Sequence, residues 1–198
     1  KQSAGTVNDD WLAELNGPRG RKAIRQMVEG DELIGGFMLL LTSLVRTTPV
    51  YVDPVDALEP EAVKYADWLR DALFRHMRMT WDEHTVYRTE GYAYGWSWFH
   101  VQTQMLPDGT RGIAKLMPVA QETLDKWIIP DEMTGEVTGI VQQAPNTYKL
   151  IPVPLDQSLH FVPIPNKGSP DGKSILRHVH RSWRYKCGAL EQEAIIHE

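Results

Sequence analysis

Apolar residues recur at helical spacing through the first half of the chain, switch to strict alternation after Gly95, and return to helical spacing after Gly172. The pattern predicts helices first, an antiparallel sheet second and a long helix last, which is an α+β order. Residues 1–20 are polar and glycine-rich and are expected to form an arm. A helix is predicted from Arg21 to Glu29, stopped by Gly30. Asp31 is a good N-cap for a second, strongly apolar helix running through Arg46, in which Gly35-Gly36 offers a place for close backbone approach. Pro49-Val50-Tyr51-Val52-Asp53-Pro54 alternates like a short strand held between prolines. Pro60 suits the first turn of a third helix, Glu61 to Met77, with Ala62, Ala66, Leu69, Leu73 and Met77 on one face. Thr80-Trp81-Asp82-Glu83 has capping-box spacing, so a fourth helix is expected to run to about Glu90, broken by Gly91 and Gly95.

From Trp96 the period is two, with Trp96, Trp98, His100 and Gln102 on one face and Ser97, Phe99, Val101 and Thr103 on the other. The segment reads as an antiparallel β meander. Strands are predicted over residues 96–104, 111–119, 123–129, 137–143, 148–153 and 159–162, separated by turns at Pro107-Asp108-Gly109, residues 130–135 and Ala144-Pro145-Asn146-Thr147.

The turn-forming stretch Asn166-Lys167-Gly168-Ser169-Pro170-Asp171-Gly172 then opens a helix predicted from Lys173 to Glu198. Leu176, Val179, Trp183, Cys187, Leu190 and Ala194 form an apolar seam on it, at spacings of 3, 4, 4, 3 and 4. Packing against a neighbouring copy or against its own domain satisfies this seam equally. Lys173, Arg177, Arg181 and Arg184 fall on a basic stripe about a quarter to a third of a turn away. With Lys186 these bases crowd the first half, while Glu191, Glu193 and Glu198 occupy the last turns. That order opposes the helix dipole, each exposed charge costing roughly 0.3–1 kcal/mol. Helix stability does not explain the placement, so a polyanion or a neighbouring subunit is expected to face it in preference to solvent alone, the remaining alternative.

Composition narrows the partners. The chain has 198 residues, 42% of them apolar, enough for one globular domain with an appended element. Net charge is −5 and the pI about 5.8, so any contact with nucleic acid is expected from a local patch, the C-terminal helix first. The single cysteine, Cys187, excludes an internal disulfide framework and reads as core. The longest uncharged run, Leu33 to Val45, spans 13 residues and is too short for a membrane span.

Catalytic patterns are scarce. His178 and His180 form an HxH pair, but on a helix residues two apart point about 160° away from each other, so no shared metal is expected. Asp82-Glu83-His84 supplies acid and base groups at a helix start, where capping is their expected use. Gly172-Lys173-Ser174 imitates the end of a phosphate loop, yet Gly168 stands only four positions before Gly172 and Pro170 removes a donor. Seven tryptophans suggest base stacking, but Trp96 and Trp98 are expected to pack in the core because no basic residue interleaves Trp96 to Gln104.

The order of these pieces resembles bacteriophage portal proteins, the ring-forming head-to-tail connectors of tailed phages, especially the group typified by Mu-like prophage portals. The resemblance covers most of the chain from Arg25 onward. It rests on Met27 to Arg46, similar to the early portal helix with Asp31 near its start. It continues through Tyr94-Gly95-Trp96-Ser97-Trp98-Phe99-His100-Val101, similar to the family's Gly-Xaa-Ser opening of a strand. It ends on Pro170-Asp171-Gly172-Lys173-Ser174-Ile175-Leu176-Arg177, followed by Trp183 and Lys186, similar to the glycine-rich turn that launches the stem helix. The resemblance implies a portal wing over residues 21–165 and a turn with the first stem helix over residues 166–198. The family's clip, second stem helix and crown are not found, so the chain is expected to be a fragment.

The implied protein is structural and not an enzyme, with no cofactor, no metal and no membrane. It is a homo-oligomeric ring, usually of twelve subunits, at one capsid vertex of the virion, assembled in the host cytoplasm. Double-stranded DNA is packaged and ejected through its channel without sequence specificity. Terminase, the major capsid protein and head-tail connector or adaptor proteins are its implied partners. The basic stripe then lines the DNA channel or a subunit interface. An alternative from another class is a nucleic-acid-binding or nucleic-acid-processing domain acting through the basic C-terminal helix.

Overall fold

The computed structural model describes residues 2–3, 6–7, 12–106, 109–131, 134–144 and 146–197. The expected residues Pro107, Asp108, Glu132, Met133, Pro145 and Glu198 lie outside them. The α+β class is borne out: helices come first, antiparallel strands follow and a helix ends the chain. A two-residue pairing of β1 (Gln2–Ser3) with β2 (Thr6–Val7) precedes the body. Order begins earlier than Arg21, because Leu12, just before a 3-10 turn over Ala13–Leu15, and Leu15, its last residue, are both buried. Helix α1 then runs over Gly17–Gly30 with a proline in its first turn.

Helix α2 (Glu32–Arg46) starts where the sequence predicts, since the Asp31 carboxylate accepts hydrogen bonds from Leu33 N at 3.0 Å and Ile34 N at 3.1 Å. Gly35 permits the close α1–α2 contact, as a Cβ there would stand 2.9 Å from the Val28 carbonyl oxygen. The strand expected between Pro49 and Pro54 does not form. Residues 47–59 run as irregular chain with turns at Thr47 and at residues 57–58, no strand among the described residues pairs with them, and two prolines remove ladder donors. Helix α3 (Pro60–Asp71) ends sooner than expected, passing into a single π turn over Ala72–His76.

Helix α4 (Trp81–Tyr94) begins with the Thr80 hydroxyl accepting from Glu83 N at 3.0 Å. Gly91 does not stop it. That glycine is needed for contact with the next strand, because a Cβ would meet Ser97 Oγ at 2.5 Å. The helix ends instead at Gly95, whose φ of +96° is the left-handed cap that glycine supplies without strain.

The strands after α4 divide between two antiparallel sheets. β3 (Ser97–Met105) lies between β4 (Arg111–Val119) and β8 (Ser158–Phe161), while β6 (Gly139–Gln143) lies between β5 (Leu124–Ile128) and β7 (Leu150–Pro154). The consecutive meander is therefore confined to β5–β7, and β8 returns to β3 in the register Trp98↔His160. Trp96 and Trp98, each 1% exposed, join the sheets through Val119, Leu124, Ile140 and Val153, so they pack as core. A second core of Leu12, Leu15, Ile24, Met27, Met38, Ala93 and Leu176 joins the helices.

Buried polar groups tie the layers. Arg21 reaches from α1 to the sheet, its guanidinium donating to the Leu124 carbonyl at 2.6 Å. His84 on α4 packs edge-on against Phe99, and burial, with Arg88 adding to it, pushes its pKa down to about 4. The folded state thus resists protonation that the unfolded chain accepts near 6.5. The stability tied to neutral His84 is whole above that value and is lost as pH falls toward 4, by about 2 kcal/mol at pH 5. Glu90 acts in the opposite sense. Desolvation, then the charge of Glu122, raises it to about 7, so its contribution is lost as pH rises from its ordinary value through 7. Urea melts of the parent and His84→Leu at pH 8 and pH 5 isolate the histidine: the acid-induced loss is expected to shrink by about 2 kcal/mol in the variant. An unchanged loss would exclude His84 as its source.

Candidate subunit and nucleic-acid interface

The C-terminal region is set by two glycines that cross. Gly95 and Gly172 (φ +58°) lie backbone to backbone: a Cβ on Gly172 would meet the Gly95 oxygen at 2.3 Å, and one on Gly95 would meet the Asp171 oxygen at 2.2 Å. Around this crossing, Lys173 N donates to the Ile164 oxygen at 2.8 Å, Gly172 N to Ser169 at 3.2 Å and Ser169 N to Asn166 at 2.8 Å. Trp127 Nε1 donates to Asp171 at 3.1 Å. The backbone donors that a phosphate cradle would use at Ser169, Gly172 and Lys173 are thus spent within the chain. Ser174 Oγ caps the following turn by accepting from Leu176 N.

That turn is not α-helical. Ile175–His178 form a 3-10 turn, and α5 starts only at His180, running His180–His197. The helix predicted from Lys173 is corrected accordingly: the crossing fixes the path of the chain through Lys173, and a serine cap opens a single tight turn. Lys173 and Arg177 therefore lie outside the helix that carries Arg181 and Arg184, and the four do not form one helical stripe. Arg177 is half-buried and desolvated, which lowers its pKa.

The bases on α5 meet acids of the same chain. Arg184 contacts both Glu14 carboxylate oxygens at 2.5 Å. Lys186 Nζ lies 3.0 Å from Asp31 Oδ2 and 3.2 Å from Glu32 Oε1. Lys186, then the Ile34 N–H, holds the Asp31 carboxyl below its ordinary range. Acids outside the helix but within the same chain thus answer part of the reversed charge order, where a polyanion or a neighbouring subunit is expected from the sequence. Arg181 differs, since its guanidinium lies 5.6 Å from the centre of the Tyr185 ring, with no carboxylate against it among the described residues.

The apolar seam divides as well. Leu176 is buried in the helical core and Trp183 packs against it, beside the buried His180 ring at 5.9 Å. Cys187 is half-buried. Val179, Leu190 and Ala194 are exposed, as are Ile195 and Ile196, so the far half of α5 projects with apolar side chains in solvent.

A second exposed apolar surface lies on α2. Leu33, Phe37, Leu40 and Leu44, spaced 4, 3 and 4 apart, form one stripe that is 52–75% exposed, while Met38 faces the core. The sequence carried the signal: a helix apolar on all sides is one buried on all sides. A groove of about 650 Å³ runs between α2, α4 and the β3–β4 sheet. At its rim Tyr94 donates to Glu122 at 2.6 Å, and burial followed by that carboxylate raises the tyrosine's pKa.

The histidines do not converge. His84 faces Phe99, His100 lies on the opposite face of β3, and His178 is exposed while His180 is buried. Asp82 is held by Arg46, whose Nε lies 2.7 Å from Oδ1. Among the described residues no group of three or more His, Cys, Asp or Glu is placed to hold a metal, and no helix is long and apolar enough to cross a membrane. No family model matches the chain, and no curated protein matches it.

Proposed function

We propose that this chain is the wing and first stem helix of a portal subunit, which closes with further copies into a ring at a capsid vertex and passes double-stranded DNA through its channel. The observation that carries this reading is the apolar surface left open on α2 together with the projecting half of α5. Monomeric proteins rarely expose apolar patches beyond about 300–600 Å². A partner of the same chemistry, present in every copy, removes both surfaces from water. The resemblance in order, from the Asp31-capped helix to the Gly172 turn, supplies the architecture. The binding of terminase, capsid and connector proteins, and the virion location, belong to the same proposal.

Duplex binding separates this reading from that of an independent nucleic-acid module. A net charge of −5 gives the single chain no general attraction to DNA, and Arg184 and Lys186 are already paired. Assembled rings are expected to retain duplex without sequence preference, with affinity falling steeply as salt rises. The unassembled chain is expected to bind at least about tenfold more weakly, because no ring of bases encloses the duplex. Equal binding by single chains, measured by fluorescence anisotropy, would favour the independent module.

A further inference from the structure

Residues 47–59 form an exposed strap between α2 and α3 whose chemistry asks for a partner. Tyr51 is 76% exposed, Leu58 92%, and Val55 fully so. Asp53, Asp56 and Glu59 accompany them, followed by Glu61, with no Lys or Arg between Thr47 and Val63. The strap is nevertheless held in place. Arg46 at one end pairs with Asp82, Arg70 Nη2 donates to the Val52 oxygen at 2.7 Å, and Leu58 N donates to Asp56 Oδ1 at 2.8 Å. Pro49, Pro54 and Pro60 stiffen it further. An apolar, acidic segment presented in one shape loses little entropy on docking.

The complementary surface lies at the other end of the molecule's chain. A groove of about 830 Å³ runs along α5, lined by Leu12, Arg181, Arg184, Tyr185, Gly188 and Ala189. Its floor is open at Gly188, where a Cβ would meet nothing within 4 Å. Arg184 is neutralised by Glu14, which leaves the Arg181 guanidinium, over the Tyr185 ring, as the charge this groove presents among the described residues. Strap and groove share no residue, so an association between them is head-to-tail and not self-complementary, the arrangement that generates rings.

We infer that the strap of one copy seats in the α5 groove of a second copy, with Val55 and Leu58 against its apolar wall and Asp53 against Arg181. The inference rests on the ring reading and deepens it by naming which parts of adjacent subunits meet. It also assigns Arg181 to a subunit contact and not to the DNA channel.

The test uses the full chain with Cys187→Ser. Protein carrying Val55→Cys is mixed with a differently tagged protein carrying Ala189→Cys and gently oxidised, which is expected to give a disulfide joining the two tags. Asp53→Arg and Arg181→Asp are each expected to weaken association about tenfold, and together to restore it to within about threefold of the parent. Val55→Asp with Leu58→Asp is expected to weaken association at least tenfold while leaving the melting temperature unchanged, because both side chains are in solvent in the single chain. Copies that associate without the mixed disulfide and without charge-swap rescue would overturn the strap assignment and leave the ring standing. A folded chain that stays monomeric at every concentration would remove both.

Discussion

Gly172→Ala is expected to destabilise the fold by at least about 3 kcal/mol, a fall in Tm of ~6–12 °C for a chain of this size. Two costs add. The φ of +58° costs an alanine roughly 1–2 kcal/mol, and its methyl group would sit 2.3 Å from the Gly95 oxygen and 2.6 Å from a Val162 methyl. Neither neighbour yields easily, since one is backbone and the other is held between β8 and the turn. Gly188→Ala is the matched control. Gly188 lies inside α5 with open space around its Cα, so alanine there is expected to stabilise by about 0.5–1 kcal/mol. Urea denaturation of both variants decides the matter: equal, small effects would mean that the crossing of Gly95 and Gly172 does not organise the C-terminal region.

Phe37→Asp combined with Leu40→Asp is expected to abolish assembly while sparing the fold. Each side chain exposes over half its surface in the single chain, and covering about 100 Å² of apolar area on each is worth ~2.5 kcal/mol. Replacing both removes that gain and leaves two carboxylates to desolvate, so association is expected to weaken ~100-fold or more. The circular dichroism spectrum should match the parent, with stability within about 1 kcal/mol. Sedimentation velocity on parent and variant supplies the reading. Undiminished association would place the subunit contact elsewhere than α2.

Local chemistry made much of the fold legible. Asp31 before an apolar run and Thr80 three residues before Glu83 mark helix starts by hydrogen bonds made within a few residues, and Pro60 marks one by its fixed φ in the first turn. Alternation after Gly95 marked β3 equally well. What escaped was decided at a distance. Gly91 looked like a helix stop but serves a contact with Ser97, and β8 joins β3 across the 52 residues between Met105 and Ser158, which include a separate sheet, β5–β7. Nothing local between Lys173 and Val179 distinguishes a 3-10 turn from the first turns of α5; the crossing with Gly95 does.

The candidate interface was legible in the same partial way. The reversed charge order of α5 was visible, yet the acids that answer it, Glu14, Asp31 and Glu32, stand 154 to 170 residues away in sequence. Of the seam, Leu176 and Trp183 reach the core because the turn at Gly172 delivers them there, while Leu190 and Ala194 lie beyond the body. The open face of α2 was written in its sequence as a helix with too many apolar sides, but which side would remain uncovered depended on where α1 and α4 pack.

The central claim, that copies of this chain close into a ring, is tested most directly by mass photometry with negative-stain electron microscopy of the full chain across a range of concentrations. The account predicts a discrete closed ring of about twelve copies, the number the portal resemblance implies, with a central channel. A well-folded monomer under all assembly conditions would contradict it.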